Sequence, residues 1–95
     1  MDKVEFLKHL KQKLDSSSIL PDAEIEVRFF DENGKVLEKP AVLVRYYPTE
    51  TDVREREIVI SPSLYEKTVE DAYNFIVFQI EQFEEEIDSI EFSGE

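Results

Sequence analysis

Ninety-five residues, 41% apolar and 36% charged, supply one hydrophobic core and no material for a second. Twenty-three acids against eleven bases leave a net charge of −12, which opposes binding to phosphate backbones and to anionic membrane surfaces. With no cysteine, a disulfide framework, a thiolate zinc site and a thiol nucleophile are all excluded.

The start, "MDKVEFLKHLKQKLD", lacks the uninterrupted apolar run and small-residue cleavage site of a secretory signal. No apolar run approaches the roughly 18–20 residues that span a bilayer, so the expectation is a soluble cytoplasmic protein. The same segment predicts a helix over 2–15. Asp2 and Glu5 form a capping-box pair, and Val4, Leu7, Leu10 and Leu14 recur at helical steps with Phe6 alongside. Lys3, Lys8, Lys11 and Lys13 lie largely off that stripe. "DSSS" ends the helix and "ILPDA" connects onward.

In 24–30, Ile25, Val27 and Phe29 alternate with Glu24, Glu26 and Arg28, as in a strand buried on one face. "DENGK" (31–35) predicts a hairpin turn, because both Asn33 and Gly34 tolerate positive φ. A returning strand over 36–47 contains Pro40, which calls for a bulge or an edge position. A loop at 48–52 and a strand at 53–60 complete a three-stranded antiparallel meander. The fold class expected is α+β: a two-layer sandwich of this sheet under an N-terminal and a long C-terminal helix.

The last helix is expected over 62–90, started by Ser61 before Pro62 or by Ser63 with Glu66. Val69, Ala72, Tyr73, Ile76, Ile80, Phe83, Ile87 and Ile90 fall within about 60° of one direction and make its core face. Its length of about 38 Å exceeds the roughly 32 Å width of a compact chain of this size, so it must overhang, kink, split or lie along a partner. Phe75, Val77 and Phe78 point off the core stripe. Either the first helix covers them, or they form a second contact surface for a dimer or a target, or they are scattered surface exposure.

Catalytic chemistry has little to stand on. His9 is the only histidine and has no orienting neighbour, and the serines at 16–18 lack a nucleophile elbow. Gly34 and Gly94 are the only glycines, too few for a phosphate-cradling loop. Glu84, Glu85, Glu86, Asp88 and Glu91 crowd together, but a helix offers carboxylates without the loop carbonyls that hard cations take. No enzyme activity, cofactor or metal is expected. Arg45, Arg54 and Arg56 are expected to cluster and pair with Glu38, Glu55 or Glu57, with Tyr46 and Tyr47 either capping the core or anchoring a partner.

The acids of the last helix are the most informative feature. Glu66, Glu70, Glu81, Glu85 and Asp88 are expected on one side of it, with Glu84 and Glu91 beside them. Over its last part this gives roughly one carboxylate per 5.4 Å turn, against one phosphate per 3.4 Å of a nucleic-acid strand. Such a row, anchored by Phe75 and Phe78, suits a basic groove made for DNA or RNA; the alternative is a solvated helix face, partly neutralised by Lys3, Lys8, Lys11 and Lys13 where the two helices pack together.

In its order of helix, three antiparallel strands and helix, and in its strong acidity, the whole chain resembles some phage-encoded anti-CRISPR proteins that imitate the target DNA duplex. The resemblance lies in layout and charge, with no motif to carry residues across. It implies an inhibitor of a nucleic-acid-binding protein. The function expected is a non-enzymatic acidic protein-binding module whose partner has a basic surface, with no direct nucleic-acid or membrane contact. The alternative is a small structural or assembly protein that homodimerises through the long helix.

Overall fold

In the computed structural model, residues 2–16 and 23–93 are described, with side chains through residue 88. The elements are α1 (Lys3–Ser16), β1 (Ala23–Phe30), β2 (Val36–Thr49), β3 (Asp52–Val59), a short 3-10 helix (Pro62–Glu66) and α2 (Val69–Ser93). The α+β layout is as expected: a meander in the order β1-β2-β3, all antiparallel, with both helices packed against the sheet. Most of the expected connector after α1 lies outside the described residues.

At the start of α1, the Glu5 N–H donates to Asp2 Oδ1 at 2.8 Å, satisfying one of the free amides of the first turn. Phe6, Leu7, Leu10 and Leu14 are buried, while Val4, expected on that stripe, is exposed. The hairpin turn differs from a two-residue Asn-Gly turn. Only Gly34 takes a positive φ, +81°. The Gly34 N–H donates to the Asp31 carbonyl (3.0 Å) and the Asp31 N–H to the Lys35 carbonyl (2.8 Å), so the loop has three residues. Asp31 Oδ1 fastens it by accepting from the Asn33 and Lys35 amides.

Pro40 sits in the central strand and takes the bulge solution. Arg28 pairs with Ala41 but Phe30 with Val36, so extra β2 residues are looped out opposite Phe29. The Pro40 carbonyl still accepts from the Ile60 N–H (2.8 Å), just beyond the end of β3, where the ladder is finishing and a missing N–H costs least. The register builds clean rungs. Val27, Val42 and Ile58 share the covered face, as do Ile25, Val44 and Arg56, while Glu24, Arg45 and Glu55 share the open one.

The core lies between that covered face and the helices: Phe29, Val42, Val44 and Ile58 from the sheet meet Leu7, Leu10 and Leu14 of α1 and Ala72, Ile76, Ile80, Phe83 and Ile87 of α2. Val69 and Tyr73 pack at its margin as expected; the side chain of Ile90 lies outside the described residues.

The expected helix 62–90 is two elements. Pro62–Glu66 is a 3-10 turn that drops Leu64 into the core, and Lys67 and Thr68 break the path before α2 begins. Thr68 caps the new start: its Oγ1 accepts from the Asp71 N–H (3.1 Å) and its carbonyl from the Ala72 N–H (3.0 Å). The Thr68-x-x-Asp71 pattern was the available signal. From there α2 runs unbroken for 25 residues, about 38 Å, in a molecule of 49 × 26 × 23 Å. The length is accommodated by an elongated body, with the helix continuous from Val69 to Ser93.

Candidate protein-binding face on the last helix

Three contacts orient α2 on the sheet. Arg56 Nη2 of β3 donates to Glu86 Oε2 at 2.9 Å, and its guanidinium carbon lies 4.8 Å over the Phe83 ring. Tyr46 of β2 donates its hydroxyl to Asp88 Oδ1 at 2.9 Å. On the far side, Lys13 of α1 sits 5.2 Å over the Tyr73 ring, and a groove of about 530 Å³ opens between Glu70, Val69 and the α1 residues His9, Gln12 and Lys13. One flank of α2 thus faces β3 and the other faces α1.

At about 100° per residue, Phe75, Phe78 and Gln82 fall on the β3-side flank, and Glu70, Val77, Glu81, Glu84 and Asp88 on the α1-side flank. Glu85 lies on the crest between them, opposite Ile76. Phe75 is 40% and Phe78 53% exposed, while Val77 is half-buried. α1 packs against the opposite flank, where Val77 is half-buried, and leaves both phenylalanines open, so coverage by the first helix does not hold for Phe75 and Phe78.

The expected contact residues whose side chains are described are spread over more than one face. Glu66 belongs to the 3-10 turn and not to α2. Glu70 is in the first turn of α2, beside α1. No charge occurs between residues 72 and 80, so the carboxylate row is interrupted for about 16 Å from Glu70 to Glu81. Asp88 is engaged by Tyr46, and Glu84 is half-buried. Glu81 and Glu85 are exposed. The side chain of Glu91 lies outside the described residues. What the structure does bring together is an uncharged centre, Phe75 and Phe78, bordered along the helix by Asp71 on one side and by Glu81 and Glu85 on the other.

The arginines also separate. Arg45 is on the open face of the sheet and pairs with Glu55 at 2.8 Å; that carboxylate holds the guanidinium above its ordinary pKa. Arg54 and Arg56 are on the opposite face, Arg54 pairing with Asp52 of its own strand at 3.2 Å. Alternation along β2 and β3 sends neighbouring residues to opposite faces, and this breaks the expected cluster. Tyr46 caps the core from below α2, whereas Tyr47 on the open face donates to Glu24 at 3.3 Å. Sequence reading assigned Arg56 only to cross-strand pairing; its role as the tether of α2 depends on which helix turn crosses β3.

No group of three or more His, Cys, Asp or Glu side chains among the described residues is placed to hold a metal ion. No helix among them is long and apolar enough to cross a membrane. Another open groove, of about 910 Å³, lies between α1 and the β1–β2 hairpin, lined by Lys8, Lys11, Phe30 and Asn33 among others. No protein-family model, characterised protein or solved structure matches the chain.

Proposed function

We propose that this chain is a non-enzymatic, acidic protein-binding module of the cytoplasm that seats the outward half of α2 on a basic surface of another protein. A groove built to hold nucleic acid is the surface that best suits it, and the module then acts as an inhibitor, in the manner of anti-CRISPR DNA mimics. One observation supports this above the others: two exposed phenylalanines stand in an uncharged stretch of helix, next to exposed Asn74 and Gln82, with exposed carboxylates at Glu70 and Asp71 before it and at Glu81, Glu85 and Glu86 after it. The net charge of −12 adds long-range steering toward a basic partner.

The test is affinity capture from nuclease-treated bacterial lysate at low and high salt, followed by direct binding with whichever purified protein is recovered. The expected result is a basic, nucleic-acid-binding protein that is released by salt, competes with nucleic acid and is lost on E81K/E85K. Recovery of nothing, or of this chain alone, overturns the proposal. Asp88 is left intact in that variant because Tyr46 depends on it.

A further inference from the structure

The two flanks of α2 are alike in kind and unlike in occupancy. Against one of them lies α1, an amphipathic helix with Phe6, Leu7, Leu10 and Leu14 buried and four lysines among its residues. Two of those lysines are placed over tyrosine rings, Lys13 over Tyr73 and Lys3 over Tyr65. Tyr73 belongs to α2 and Tyr65 to the 3-10 turn before it, so one lysine, Lys13, meets α2 beside the apolar stripe on that side. The other flank is bordered at its C-terminal end by β3, where Arg56 pairs with Glu86, but no described contact involves its middle: Phe75 and Phe78 at a three-residue step and Gln82 one turn on, with Asp71 and Glu85 toward the ends.

Charge selects among possible occupants. A second copy laid along this flank brings acid to acid whichever way it runs: antiparallel, Asp71 meets Glu85 or Glu86, and parallel, Glu81, Glu85 and Glu86 meet their own equivalents. Each molecule also carries −12. Strand addition through the free edge β3 is no better for a copy. In an antiparallel sheet opposed residues share a face, so the alternating Arg54-Glu55-Arg56-Glu57 sets Arg against Arg or Glu against Glu in the central registers. A helix with lysine or arginine bordering an apolar stripe meets neither penalty.

Resting on the proposed function, we infer that the partner element is an amphipathic, basic helix docked along the Phe75–Phe78 flank of α2, as α1 docks along the other flank. Phe75 and Phe78 supply the affinity, and the carboxylates Asp71 on the same flank and Glu85 on the crest supply register and encounter rate.

The probe is a 14-residue model helix of leucine at i, i+3, i+4 and i+7 with lysine elsewhere. An oligolysine of equal length is the charge-only control, and both are titrated into the whole chain with amide shifts followed by NMR. The leucine–lysine helix is expected to bind at least about tenfold tighter than oligolysine, with shifts centred on 71–82, and F75S/F78S is expected to abolish that advantage. Both residues are exposed, so the variant should keep its unfolding temperature, which is measured alongside. Equal binding of the two probes, unaffected by F75S/F78S, overturns the inference while leaving a basic partner in place. Binding of neither probe counts against the basic-partner reading itself. A concentration-dependent dimer that F75S/F78S dissolves assigns the flank to a second copy.

Discussion

Tyr65 lies at the joint between α1 and the 3-10 turn, edge-on to Phe6 with ring centroids 5.4 Å apart. Its hydroxyl is buried and finds no hydrogen-bond partner, and this burial pushes the phenol above its ordinary pKa. An unpartnered buried hydroxyl costs about 1–3 kcal/mol relative to a paired one. Y65F should therefore leave stability unchanged or raise it by about 1 kcal/mol, as read from urea unfolding at neutral pH. The alkaline limb gives an independent check. Because the folded pKa is the higher one, the tyrosine's contribution is complete below the unfolded value near 10 and is lost as pH rises through the folded value. Y65F should flatten that part of the alkaline loss of stability. A drop of more than about 1 kcal/mol at neutral pH would mean that the hydroxyl is satisfied in solution.

At the scale of elements, α2 is well begun and badly ended. Thr68 caps its start, and Glu70 and Asp71 in the first turn suit the positive end of the helix dipole. Its last turn contains no base, and carboxylates fill 84–86, 88 and 91, at the end where the dipole disfavours them. Arg56 and Tyr46 clamp this part through Glu86 and Asp88. The ion pair is exposed and worth at most about 1 kcal/mol, so burial of Phe83 and Ile87 does most of the holding. T68A should cost about 1 kcal/mol and let amides 70–72 exchange faster, since it removes the cap and lets the 3-10 turn and α2 lose their boundary. An unchanged exchange rate would mean that the break at Lys67 is enforced by packing of Leu64 alone.

For the whole molecule, charge and shape act together. Twelve uncompensated negative charges repel one another through a body 49 Å long but only 23 Å thick. Salt shortens the reach of that repulsion to about 8–10 Å at 0.1–0.15 M. Folding stability in urea should therefore rise by about 1 kcal/mol between about 10 mM and 500 mM sodium chloride. Binding to a basic partner should weaken over the same range. The opposite signs are the diagnostic: a stability that falls with salt would show that the acids are mostly paired within the fold.

Much of this was legible in the chain itself. Alternation in 24–30 and 53–60, the glycine at position 34 and the 3.6-residue stripe of α2 each follow from local geometry, so elements, order and covered sheet face could be read directly. The same periodicity located Phe75 and Phe78 off the core. It did not say whether α1 would reach them, because that depends on which flank α1 takes. Pro62 and Ser63 carry helix-start signals of their own and so mask the break at Lys67, which the cap at Thr68 marks. The arginine cluster failed for another reason: closeness along paired strands does not mean a shared face. Composition determined the acidity, the absence of thiol chemistry and the presence of one apolar and acidic helix. Only tertiary structure decided which acids are tied down and which flank stays open, because both depend on where α2 crosses β2 and β3, and that crossing is set by packing between residues more than 20 positions apart.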